Sequence, residues 1–149
     1  MKIAIACDHG GFPLKGLIVE LVASLGHEVA DLGAHDLAPQ DDYPDFARYV
    51  GQAIQHGHAN RGILICGSGV GASVAANKMK GVRAGLCHDA YSAVQCVAHD
   101  DVNVLCLGAR IVGSALAAEL VKAFVSAQFT GEPRHARRLE KVNAMEAVG

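Results

Sequence analysis

The chain has 149 residues and a formal net charge of −2; 51% of its residues are hydrophobic and only 5% aromatic. That length fits one domain with a real core, and the near-neutral balance supplies no field that would gather nucleic acid. No apolar run approaches the ~20 residues that a membrane helix needs, and Met1-Lys2 followed at once by the strand-like IAIAC does not read as a secretory signal.

Lys2–Cys7 is the first strand-like run, and it leads into Asp8-His9-Gly10-Gly11. Leu14, Leu17, Ile18, Leu21, Val22 and Leu25 then recur at helical spacing until Gly26 stops them. Glu28–Leu32 is the second strand-like run, and Phe46, Tyr49, Val50, Ala53 and Ile54 form a second helical stripe. Gly62–Cys66 is the third strand, followed by the glycine-rich GSGVGAS of residues 67–73. Val82–Leu86 is the fourth, ending in Cys87-His88-Asp89. The polar stretch His99-Asp100-Asp101 precedes the fifth, Val102–Leu107, which ends in Gly108-Ala109-Arg110. Leu116, Leu120, Val121, Phe124 and Val125 mark another helix. After Gly131-Glu132-Pro133 a last helix is crowded with Arg134, His135, Arg137, Arg138 and Lys141, with Arg134 and Arg138 on one face.

Short Ile/Val/Leu-rich strands alternating with amphipathic helices predict an α/β fold. One domain is expected over 1–149, an open parallel sheet of about five strands with helices on both faces. Ligands in such sheets bind beyond the carboxyl ends of the strands, and those ends carry most of the polar signals.

The five cysteines are Cys7, Cys66, Cys87, Cys96 and Cys106. Four lie in or at the end of strand-like runs and Cys96 in a helical one. The odd count and this placement suggest reduced thiols in a cytoplasmic protein, not a disulfide framework. No CxxC or HExxH spacing occurs, so no metal site is expected.

Cys66 is the strongest candidate for chemistry. Glycines after a buried strand let backbone N–H groups turn toward an anion, and a helix start adds partial positive charge. The same field lowers a thiol's pKa and makes it a usable base or nucleophile. The plain alternative is a tight turn with a buried core cysteine. Gly67, Gly69 and Ala72 also satisfy a loose GxGxxG/A nucleotide fingerprint, with Asp89 downstream, but that fingerprint normally follows the first strand of its unit. A Cys-x5-Arg phosphatase loop is excluded, because the sixth residue after Cys66 is Ala72. Asp8 reads equally well as a helix cap. His99, Asp100 and Asp101 read as solvated loop residues, and Arg134 and Arg138 as a helix surface or a phosphate clamp. His27, His35, His56 and His58 show no partner pattern and are expected on the surface.

Six segments together resemble the type B ribose-5-phosphate isomerase family, which includes the galactose-6-phosphate isomerase subunits. They are IAIACDHGGFPLK, DYPDFA at 42–47, ILICGSGVGASVAANK at 63–78, GVRAGLC at 81–87, HDDVNVLCLGARIVG at 99–113 and the tail GEPRHARR. The resemblance implies a Rossmann-like parallel sheet and aldose–ketose isomerisation of a phosphorylated sugar, with no metal, nucleotide or other cofactor. Ribose 5-phosphate is the first candidate substrate, with allose 6-phosphate, galactose 6-phosphate or another aldose phosphate as variants. A non-catalytic sugar-phosphate-binding module and one subunit of a heteromeric isomerase are the rival readings.

By resemblance Cys66 is the proton-transfer base, and Ser68 with the Gly67, Gly69 and Gly71 loop amides stabilises the enediolate. Asp8 and His99 handle the ring-opening protons. His9, Arg110, Arg134 and Arg138 bind phosphate, and Tyr43 walls the pocket. The tail arginines come from the other subunit in this family, so 131–149 is expected to be a helical arm at a subunit interface of a homodimer or tetramer. Two departures stand out. Asp100 follows His99 where many relatives have Asn, exchanging a donor-capable amide for an acceptor-only carboxylate when ionised. Ser68 replaces the Thr of some relatives and keeps the hydroxyl.

Overall fold

The computed structural model describes residues 1–148, in which strands and helices alternate. The strands are β1 (Lys2–Cys7), β2 (Glu28–Asp31), β3 (Arg61–Cys66), β4 (Ala84–Leu86) and β5 (Val104–Gly108). The helices are α1 (Phe12–Ser24), α2 (Tyr43–Gln55), α3 (Val70–Ala76), α4 (Ala90–Asp100), α5 (Ser114–Ser126) and α6 (Pro133–Glu146). All paired strands are parallel, in the order β2-β1-β3-β5-β4. The chain steps to one side of β1 for β2 and to the other side for β3. A crevice opens at such a reversal, outside the carboxyl ends of the two strands.

The central strands sort their side chains by size. Ile3, Ile5, Ile63, Ile65, Leu105 and Leu107 face one layer, where Ile18 of α1, Val97 of α4 and Phe124 of α5 pack on them. Ala4, Ala6, Leu64, Val104 and Cys106 face the other, under α2 and α3. Period-two alternation puts one set on each face of the sheet. The expectation of strands covered on both faces holds for β1, β3 and β5. The edge strands β2 and β4 are only partly buried.

Strand ends differ from the sequence reading by one or two residues. β2 stops at Asp31, β3 begins at Arg61, β4 begins at Ala84 and β5 covers Val104–Gly108. Asn103 explains the last two. Its Oδ1 accepts the Arg83 N–H at 2.8 Å, and its Nδ2 donates to the Gly81 carbonyl at 2.9 Å. Just before both strands, side-chain bonds of Asn103 thus join the backbone bonds that its own N–H and that of Val104 make to the Arg83 carbonyl.

A larger revision concerns His99 and Asp100. They are not loop residues; they form the last turn of α4, which Asp101 ends in a left-handed conformation at φ 49°. Asp89 caps the start of that helix, accepting the Ser92 N–H at 2.7 Å, so its role is local. His27 does have a partner, the amino terminus at 3.2 Å from its Nδ1. α6 buries only His135 and packs on α4. Among the described residues no helix is long and apolar enough to cross a membrane.

Candidate active site

Cys66 ends β3 with its side chain on the small-residue face, 5% exposed. Its Sγ accepts the Gly69 N–H at 3.0 Å. That bond requires the loop to fold back within three residues, and Gly69 does so at φ 82°. A side chain there would be strained by the backbone angle and would also press on Leu86 and the Leu107 carbonyl. Ser68 Oγ accepts the Val70 N–H at 3.3 Å. The Gly69 and Val70 amides are thus engaged inside the loop, which leaves those of Gly67, Ser68 and Gly71 for a ligand.

The neighbours arrive from the adjoining strand ends. Asp8, 7% exposed, follows β1, and its Oδ1 accepts the Gly11 N–H at 3.0 Å. It therefore orders the turn before α1, although Gly11, not Asp8, occupies the N-cap position of that helix. Arg110 follows β5, and its guanidinium lies over Gly67, where an added Cβ would stand 3.2 Å from Nη1. Among the described residues it has no acidic partner. Tyr43 opens α2 and lays its ring across Gly71, where a Cβ would come 2.7 Å from Cζ. Asp8, Tyr43, Cys66, Gly67, Ser68, Gly71, Arg110 and Ile111 enclose a cleft of about 340 Å³. That size suits a small ligand. His9 sits beside Asp8, with Nδ1 2.7 Å from Asp41 Oδ1.

Asp8, His9 and Asp41 also form the one trio of metal-ligand type among the described residues, with their ligand atoms within 4.8 Å of one another. The short Nδ1–Oδ1 contact makes His9 and Asp41 a hydrogen-bonded pair. A larger cleft of about 470 Å³ lies beside Lys2, Tyr49, Gln52, His56 and His58, but no cysteine or serine lines it and its lysine pairs with Glu28 at 3.2 Å.

The remaining candidates do not join this cleft within one chain. α4 runs antiparallel to the strands, so its last turn lies at the amino edge of β5. The Arg83–Asp101 ion pair of 2.8 Å ties it there to the start of β4. Cys66 is at the carboxyl edge, and β5 alone separates the two edges by roughly 13 Å. His99 stacks on His135 of α6, with ring centroids 4.0 Å apart and planes inclined by 25°. His135 Nδ1 lies 2.7 Å from Thr130 Oγ1. Burial and the neighbouring His99 and Arg134 hold the His135 imidazole below its ordinary value. Arg134 pairs with Glu132 at 3.2 Å, and Arg138 lines a separate cleft with Asp100 and Arg83.

The sequence reading singled out neither Asp41 nor His135. Asp41 lies just outside the DYPDFA segment of 42–47 and in no local motif, and the stacking of His135 depends on the packing of α6 against α4.

The other four thiols differ from Cys66 in setting. Burial pushes the Cys7 thiol up to about 11 and raises Cys106 as well. The neighbouring Cys87 thiol, together with burial, raises Cys96. The same interaction lowers Cys87, but Cys87 does not line the cleft.

Comparison with known proteins bears on what this arrangement does. A family model described as Ribose/Galactose Isomerase matches residues 3–142. The chain belongs to the ribose/galactose isomerase family. Ribose-5-phosphate isomerase B of Escherichia coli is 46% identical over 145 residues, 97% of this chain and 96% of that protein. The solved ribose-5-phosphate isomerase B of Clostridium thermocellum superposes with a TM-score of 0.96 at 44% identity, covering 99% of both chains. That of Mycoplasma genitalium, with bound ribulose-5-phosphate, gives a TM-score of 0.93 at 41% identity over 99% of this chain and 97% of that one. Full-length agreement of this kind makes the chain an isomerase-family enzyme with the family's single-domain parallel-sheet fold.

Proposed function

We propose that this enzyme interconverts ribose 5-phosphate and ribulose 5-phosphate through an enediolate, with Cys66 as the proton-transfer base. The observation that carries the reading is the Cys66 thiol on the cleft floor, its sulfur already accepting the Gly69 amide. That bond fixes the sulfur where it lines the cleft, and an isomerase of this kind needs one base to move a proton between C2 and C1.

The other roles are those that the family resemblance implies. Asp8 and His99 move the protons that open the sugar ring. Cys66 takes the C2 proton and returns it to C1. Ser68 and the uncommitted Gly67 and Gly71 amides face the developing oxyanion, and such donors act most strongly where water is scarce. Tyr43 closes the cleft wall. His9 and Arg110 hold the phosphate.

His99, Asp100, Arg134 and Arg138 enter the site from a second copy of the chain. Two features support this: they sit at the opposite edge of their own sheet, and α6 stands as an arm with one buried residue. The apolar side chains of Val70, Val74 and Ile111, each more than half exposed beside the cleft, suit a covering subunit. Residues 131–149 form the interface arm in this reading, apart from Gly149, which lies outside the described residues. Asp100 favours a second substrate reading within the same chemistry: another aldose phosphate, such as allose 6-phosphate or galactose 6-phosphate.

The test is the purified chain assayed for ketose formation against a panel of aldose phosphates, with Cys66→Ala alongside. Ribose 5-phosphate should be converted, and Cys66→Ala should lose at least about 100-fold in kcat while still binding sugar phosphate. A variant that keeps more than about a tenth of wild-type kcat removes Cys66 from the role of base.

A further inference from the structure

Asp41 lies in the segment between β2 and α2 and belongs to none of the roles above. Its Oδ1 accepts two hydrogen bonds, both from His9: the backbone N–H at 3.0 Å and ring Nδ1 at 2.7 Å. Its side chain is 13% exposed, and Oδ2 is buried with no hydrogen-bond partner among the described residues. A carboxylate this secluded is costly unless a donor or a positive charge faces it. Among the described residues the only partner of its side chain is His9. The two residues are 32 apart in sequence, so the fold, not local geometry, joins them.

The pairing decides what His9 can offer. An imidazole without a partner turns freely and exchanges tautomers, whereas a fixed acceptor on Nδ1 keeps a proton on that nitrogen and sets the ring plane. Nε2 is then the nitrogen left for a ligand. When the ring is protonated, Nε2–H donates to an anionic oxygen in a charge-assisted bond.

We propose that Asp41 is the positioning residue of the phosphate subsite: it clamps the His9 ring through Nδ1 and dedicates Nε2 to the sugar phosphate. The inference deepens the isomerase reading and rests on it only for the role of His9 at the phosphate.

Kinetics and NMR test it separately. Asp41→Ala should raise KM for ribose 5-phosphate about tenfold and leave kcat within about threefold, the pattern of lost substrate anchoring. Asp41→Asn keeps an acceptor oxygen and should recover most of that loss. The double variant His9→Ala/Asp41→Ala should be no worse than His9→Ala, because one residue acts through the other. An unchanged KM in Asp41→Ala, or losses that multiply in the double variant, overturns the inference. In the wild-type protein with ¹⁵N-labelled histidine, the His9 signal, identified by its absence in His9→Ala, should show a proton on Nδ1. A bare Nδ1 overturns the inference even if Asp41→Ala fails to fold. If the wild type converts no aldose phosphate, the isomerase reading fails, and the tautomer alone decides what Asp41 does.

Discussion

A carboxylate beside a developing enediolate opposes its formation, because like charges at close range cost free energy even when screened. The family resemblance implies an amide at the position of Asp100, so its carboxylate raises that question for the proposed site. Its surroundings explain why the enzyme tolerates it: Asp100 lines its cleft together with Arg83 and Arg138, so two guanidiniums share its field. In the proposed dimer Asp100 faces a sugar hydroxyl, to which a carboxylate accepts a hydrogen bond, and not the enediolate. Asp100→Asn should therefore shift preference among aldose phosphates. On ribose 5-phosphate it should change kcat/KM by less than about tenfold, or ~1.4 kcal/mol. The measurement is kcat/KM for both proteins across the substrate panel. A large uniform gain on every sugar would put the carboxylate against the enediolate instead.

Among the elements, α1 and β2 are joined by an ion pair that also shapes the ground near the site. Lys15 on α1 is buried, and its Nζ donates to both oxygens of Asp31 at 2.8 and 2.9 Å. Asp31 Oδ1 also accepts the Gly33 N–H at 3.0 Å, and the Gly33 carbonyl accepts the N–H of Cys7 next to Asp8. Burial works against ionisation of Asp31, but the Lys15 hydrogen bond and charge and the Gly33 amide outweigh it. The carboxyl sits below its ordinary value of 3.8. Since the folded value is the lower one, the contribution to stability is complete well above pH 3.8 and is lost as pH falls through the folded value. Asp31→Asn should cost about 1–2 kcal/mol at neutral pH, less than a fully buried pair because solvent reaches Asp31. Thermal unfolding of both proteins from neutral pH to about pH 2 checks this. The gap in Tm should narrow below the ordinary carboxylate range, and a gap that stays constant with pH would remove the ion pair as its cause.

For the molecule as a whole, the decisive fact is that one chain keeps its candidate groups at two opposite edges of one sheet. Cys66, Asp8 and Arg110 stand at the carboxyl edge; His99 stands at the amino edge, with α6 packed on α4. No side-chain rotation closes a gap of about 13 Å. A shared site makes a sharp expectation. Chains carrying Cys66→Ala and chains carrying Arg134→Ala/Arg138→Ala should each be inactive alone and regain activity when their subunits exchange. Each mixed dimer then holds one site with an intact base and intact arginines. Proven exchange without recovery would assign the arginines to their own chain's site, or to none.

The parallel sheet was legible in the sequence because its strands and helices announce themselves by period, and short Ile/Val/Leu runs between amphipathic stripes admit few other arrangements. The Cys66 loop was legible for a related reason: a strand, a thiol, a glycine turn and a helix start are contiguous, so their juxtaposition is local. The same holds for Asp8, His9 and Arg110, each of which lies within two residues of a strand whose carboxyl end could be located. His99 was misread as a loop residue because its helix ends within a polar stretch that looks solvated, and only Asp101 marks the stop. The pairing of Asp41 with His9 beside the cleft, and the stacking of His99 on His135 away from it, were decided by tertiary structure alone. Each joins segments that no local period connects, and a carboxylate or imidazole carries no sign of its partner until the chain has folded around it.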